Sequence, residues 1–406
     1  MEDQLFKKYD LVNKKAKTRM IIFIGIILVL LIITSIFIIL YISEKNNNDN
    51  KSNENSPSEK KEEKKEEKKE EKEEEKKEEK EVLTLWNDCN AKKTLMDYIQ
   101  KITQSDSSSF IKIEDRIAVF DLDGTLFQET DPVYTDYKLY KYRVLEDPNY
   151  INKATEEQIE VANYIKELIE TGKSVSGLDL KHAKSNAEVF ANMTLKEYEN
   201  YAKVFLNESA EGYNNLKRGD AFYKPMLQVI DYLQENNFTV YIVSGTDRFT
   251  VRAIIDGHIN IPKGHVIGSE AKIIASKQGN EDGFNYTFTQ DDHLIFKGEV
   301  VVKNLYMNKV HHIIREIGKT PVLSFGNSKG DSSMANFVIS NKDNIGLAFM
   351  LLCDDTDREN GNIAKANEMQ ELCNNNNWIA ISMKNDWTTI YGENVTRIKR
   401  IIQIFL

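Results

Sequence analysis

Three short apolar runs, each ending abruptly in a small or acidic residue, constrain this chain most. Ile117 to Phe120 is apolar throughout and is bounded by Arg116 and Asp121. Thr239 to Val243 ends in Ser244-Gly245-Thr246, and Pro321 to Phe325 ends in Gly326-Asn327. Unbroken apolar runs of this length, without alternation, read as strands buried on both faces, as in a parallel sheet. Open α/β sheets bind ligands just beyond the carboxyl ends of their strands. The residues at the three tips are therefore the candidate site.

The tips carry specific sequences. The first is Asp121-Leu122-Asp123-Gly124-Thr125-Leu126, two carboxylates two residues apart with a glycine for a sharp turn. The third continues as Gly326-Asn327-Ser328-Lys329-Gly330-Asp331. Between the second and third, Lys309 opens an amphipathic run through Val310, Ile313, Ile314 and Ile317. Taken in order, these segments resemble the four motifs of the haloacid dehalogenase superfamily, over about 111–406. The resemblance implies an α/β fold: a Rossmann-like core, with a parallel sheet and helices on both faces, and an inserted helical cap.

It also implies roles. Asp121 is the expected nucleophile, forming an aspartyl-phosphate. Asp123 is the expected general acid and then base. Ser244 and Gly245 are expected at the phosphoryl oxygens, and Lys309 beside the nucleophile. Mg²⁺ is the implied cofactor, held by Asp121, the Asp123 carbonyl, Asn327 and Asp331. Asn327 departs from the commoner Asp, so Asp331 is expected to supply more of the ligand charge. An acid at position 123 points to phosphatases and phosphomutases within the superfamily. The Mg²⁺-dependent hydrolysis of a small phosphomonoester is the leading reading. A phosphomutase or phosphotransferase and a retired, purely binding site are the alternatives.

More than a hundred residues separate the first two tips. Thr155 with Gln158, and Thr194 with Glu197, have the spacing of capping boxes at helix starts. This interval, 127–213, is the expected cap, with the core formed by 82–126 and 214–406. Phosphoserine phosphatases, which this chain resembles in cap type, place a Glu near position 129 against the substrate's amino group. Glu129, Arg143 and Arg248 are accordingly candidate substrate contacts. The region from His265 to Val302 reads as a β-rich flap. His311 and His312 lack metal-ligand spacing.

Met20 to Ile42 carries no charged residue and is long enough to span a bilayer as one transmembrane helix. Lys7, Lys8, Lys14, Lys15, Lys17 and Arg19 precede it, whereas only Lys45 and Lys51 follow closely. That bias predicts a cytoplasmic tail over 1–19 and a catalytic domain that is extracellular or luminal. A spacer over 43–81 is expected to be disordered. Its Glu59–Glu81 tract holds 10 Lys and 13 Glu. The KKEE repeat sets like charges four residues apart, which disfavours a continuous helix. A formal net charge of -10 gives no footprint for nucleic acid. Three cysteines are too few for a disulfide framework.

Overall fold

The computed structural model describes residues 81–129 and 133–398. The predicted membrane span, its basic flank and nearly all of the spacer lie outside these residues. Among the described residues no helix is long and apolar enough to cross a membrane.

A seven-stranded sheet organises the described chain, in the order β5-β4-β3-β1-β6-β7-β8. Its strands are β1 (Ile117–Phe120), β3 (Thr239–Asp247), β4 (Val266–Ala275), β5 (Leu294–Val302), β6 (Leu323–Gly326), β7 (Leu347–Leu352) and β8 (Ile379–Ser382). Every pairing is parallel except that of edge strand β5 with β4. A short separate ribbon joins β2 (Tyr213–Asn214) to β9 (Thr396–Arg397). The expected flap is thus β4 and β5, which extend the main sheet instead of standing beside it.

Alternation along the strands decides which helix covers which face. Ala118, Phe120, Leu323 and Phe325 pack in one core with α1 (Asn90–Thr103) and α6 (Lys224–Glu235). Val119, Val243 and Ile267 point the other way, against Ile313 of α8 (Met307–Ile317) and Met334 of α9 (Ser332–Ile339). On that second side α10 (Ile363–Asn376) covers Ala348 and Met350. Because both faces are covered, the strands read as continuous apolar runs. Phe120, Phe325 and Phe349 are register neighbours and stack across three strands, with ring centroids 4.2 and 5.0 Å apart.

The interval after β1 folds into helices α2 (Thr135–Leu145), α3 (Glu156–Thr171), α4 (Leu178–Val189) and α5 (Leu195–Leu206). Both predicted capping boxes form, at Thr155 and Thr194. Fully buried Tyr140 ties three of these helices together, meeting the Gln158 carbonyl at 2.9 Å and Ser185 Oγ at 2.5 Å. The insert is fastened to edge strand β5 by Asn192 N–H donating to Phe296 O and Phe296 N–H donating to Met193 O. It is fastened to α7 (Arg248–Ile255) by Tyr198 and Thr250, whose hydroxyls lie 2.5 Å apart. All three cysteines are free.

Candidate active site

Strand order brings the site together. β1 lies between β3 and β6, so the three tips share one end of the sheet. Asp121 follows directly on β1, and its N–H donates to Phe325 O of β6 at 2.9 Å. The chain then turns tightly, with Thr125 and Leu126 N–H both donating to Leu122 O. Gly124 adopts φ +80°, a left-handed conformation that side chains resist.

Lys309, near the start of α8, is 1% exposed and reaches under the turn. Its ammonium donates to Asp121 Oδ1 at 2.6 Å and to Asp331 Oδ1 at 2.5 Å. Asp331 Oδ2 accepts from Asn327 N–H, Ser328 N–H and the Ser328 hydroxyl. Asp331 is therefore bound on one side to the third tip and on the other to Lys309. Burial by itself would lower the Lys309 ammonium, but the two carboxylates more than reverse this and hold it above the usual lysine range.

Asp121 and Asp123 stand in different surroundings. Burial, followed by the charge of Asp331, pushes the Asp121 carboxyl up to about 7, while Lys309 pulls the other way. Among the described residues Asp123 has no cation partner. It accepts from the Thr246 hydroxyl at 2.8 Å, and burial followed by the charges of Asp136 and Asp121 holds its pKa well above the carboxylate range.

Both carboxylates open into a cavity of about 310 Å³, within the size range of small-molecule sites. Core residues Gly245, Thr246, Asn327 and Asp331 line one side. The helical insert lends Tyr134, Asp136 and Tyr137, and α10 lends Lys365.

Several expected contacts need correction. Arg143 does not reach the cavity: it pairs with Asp147 at 2.6 Å and lies 4.4 Å from the centroid of the Tyr150 ring, inside the insert. Arg248 is turned away as well, paired with Glu270 and Glu316. Ser244 is fully buried, and its Oγ accepts from Thr246 N–H, so Thr246 and not Ser244 forms the wall. Glu129 lines the cavity as expected, and within the protein it already accepts from Lys365, Tyr134 and Asn327. Thr246 was visible as the third residue of Ser-Gly-Thr, but strand alternation puts it on the same face as Ser244 and gave no local reason to prefer it. Lys365 lies on a remote helix and left no local signal.

The donor set fits Mg²⁺. Asp121 and Asp331 share the one ammonium of Lys309, and with the neighbouring Asp123 they form a cluster of buried oxygen donors of the kind that suits a divalent cation. Among the described residues no three His, Cys, Asp or Glu side chains gather as a metal site. The fit therefore rests on carboxylate, amide and carbonyl oxygens, which suit a hard cation and not Zn²⁺.

None of the curated proteins matches this sequence. Similar solved structures include a conserved protein of unknown function from Anaerococcus prevotii, 14% identical, covering 74% of this chain and 97% of that one, with a TM-score of 0.42. A phosphoserine phosphohydrolase-like protein from Francisella tularensis is 12% identical over 65% of this chain and 94% of that one, with a TM-score of 0.36. Cytosolic 5'-nucleotidase IIIB bound to cytidine is 12% identical over 72% and 86%, with a TM-score of 0.42. Residues 116–285 match the family model for haloacid dehalogenase-like hydrolases. That span contains the Asp121 and Asp123 turn and the Thr246 tip, to which the fold adds Lys309, Asn327 and Asp331. The chain carries a haloacid dehalogenase-like hydrolase domain.

Proposed function

We propose that this protein is a Mg²⁺-dependent phosphatase that hydrolyses a small phosphomonoester through an intermediate on Asp121. One observation carries the reading: neighbouring carboxylates in one cavity have opposite partners. Asp121 is held by an ammonium and Asp123 by a neutral hydroxyl. That difference separates a nucleophile from an acid, since environments that set two carboxyls apart define their roles.

In the first half-reaction an Asp121 oxygen attacks phosphorus, and the bond from phosphorus to the ester oxygen breaks. Asp123 delivers its proton to the departing alcohol. In the second half-reaction Asp123, now ionised, takes a proton from water, which attacks the acyl phosphate and regenerates Asp121. Thr246 keeps Asp123 aimed throughout, and Lys309 fixes Asp121 in line. Asp121, the Asp123 carbonyl, Asn327 and Asp331 are the candidate holders of Mg²⁺, which would supply charge neutralisation for the phosphoryl oxygens. The helical insert acts as a cap, and the size of the cavity favours small substrates over phosphoproteins.

Phosphate release from a panel of phosphomonoesters, with Mg²⁺ and with a chelator, tests this. Metal-dependent release that Asp121→Asn abolishes is the expected result. Transfer of the phosphoryl group to a second substrate hydroxyl, without free phosphate, would point to a phosphomutase. Residues 20–42 are proposed as a single membrane anchor that leaves this domain outside the cytoplasm, on the strength of the apolar run and its basic flank.

A further inference from the structure

Glu129 is a buried acid that the reaction scheme leaves without a task. It is 4% exposed and stands at the cavity wall, and its two oxygens have different partners. Oε1 accepts from Lys365 Nζ at 2.6 Å and from the Tyr134 hydroxyl at 3.1 Å. Oε2 accepts from Asn327 Nδ2 at 3.1 Å. Paired with an ammonium, a carboxylate only accepts, so it meets Asn327 through the amide N–H alone. An amide that donates there must turn its oxygen elsewhere. Asn327 Oδ1 indeed lies on the other side, 3.5 Å from the Thr125 hydroxyl.

The direction of this amide matters chemically. The two ends of an Asn side chain are nearly the same size, and only hydrogen bonding sets which end points where. Only the oxygen end can ligate a hard divalent cation. The local backbone is built to admit the contact. A Cβ on Gly124 would lie 1.9 Å from Asn327 Nδ2 and 3.0 Å from Glu129 Oε2.

We propose that Glu129 is a positioning residue that fixes the Asn327 amide with its oxygen available to the cation, and that Lys365 of α10 pins Glu129 for this purpose. The inference rests on the reading above, in which Asn327 is a cation ligand. It also accounts for an amide at this position. An Asp there would set one carboxylate oxygen against another at the 3.1 Å separation now bridged by an N–H.

Titration of the metal-free full-length protein with Mg²⁺, followed by calorimetry without substrate, tests the proposal. Glu129→Gln presents either end of an amide to Asn327 and is expected to weaken Mg²⁺ binding about 10- to 100-fold, the usual effect of losing a partner that orients a ligand. Lys365→Met is expected to weaken it less, since Tyr134 still holds Oε1. The double variant Glu129→Gln with Asn327→Asp restores a donor facing an acceptor, with the polarity reversed, and should recover the parental affinity or exceed it. That recovery distinguishes positioning from simple misfolding, and metal-free melting curves of each variant serve as the check on folding. Parental affinity in Glu129→Gln, or a double variant no tighter than that single one, would overturn the proposal. A parent protein that binds no Mg²⁺ would instead remove the metal reading on which it rests.

Discussion

At the residue scale, the site depends on buried charges that neutralise one another. Lys309 is the single ammonium between two buried carboxylates, so its removal leaves Asp121 and Asp331 uncompensated. Breaking a buried pair by deleting one partner typically costs about 3–5 kcal/mol. Lys309→Met is expected to lower stability by that order in urea unfolding as well as to abolish turnover. Thr246→Val is a subtler change. Among the described residues it removes the only side-chain hydrogen bond to Asp123, and it keeps the shape of the wall. The expected result is a protein of nearly parental stability whose kcat falls by up to the roughly 10²–10⁴-fold worth of general acid catalysis. Equal turnover in Thr246→Val would show that Asp123 needs no help in aiming its proton.

At the element scale, the strands and the insert make separate contributions to stability. Phe325 is fully buried in the ring stack of three adjacent strands, directly beneath the third tip. Phe325→Ala is expected to cost about 3–5 kcal/mol by the transfer and cavity terms together, read as a lower urea midpoint. Within the insert, His182 of α4 is buried against Tyr137 and Tyr140, with Lys303, Asp179 and Asp136 as its charged neighbours. Burial first, and then Lys303, depress its folded pKa to about 3. The unfolded chain takes up that proton near the ordinary His value of about 6.5. The stability linked to His182 is therefore complete above about pH 6.5 and is lost as pH falls below it, by up to roughly 1.4 kcal/mol per unit. His182→Gln should flatten the decline in melting temperature between pH 6.5 and 4. An unchanged slope would place the acid sensitivity elsewhere.

At the scale of the whole molecule, the described residues from Glu81 onward form one compact unit. Every group assigned to the chemistry belongs to it. A chain beginning at Glu81 is expected to keep full activity toward soluble phosphomonoesters while losing membrane association. If that truncated protein folds but fails to turn over, the bilayer takes part in substrate access, and a lipid phosphate becomes the better substrate class. Orientation is tested by adding protease to intact cells or sealed vesicles. Cleavage of the catalytic domain from the cytoplasmic face alone would reverse the topology drawn from the basic flank.

Asp121, Asp123, Lys309, Asn327 and Asp331 were singled out through the resemblance of their motifs to a known superfamily, whereas the strand tips and their order were legible in the sequence, because apolar runs report local structure directly. The capping boxes were legible for the same reason: each is a contact between residues three apart. What the sequence could not decide was direction. Ser244 and Thr246 are equally polar on paper and share a face by alternation; the fold buries one and leaves the other on the cavity wall, in the stretch where β3 shifts register between Val243 and Asp247. Arg143 and Arg248 were plausible anion binders until packing supplied each with a nearer carboxylate. Glu129 and Lys365, 236 positions apart, meet only because α10 packs over the strand tips. Such pairings follow from where whole elements dock, a free-energy balance over the entire core that no local window contains.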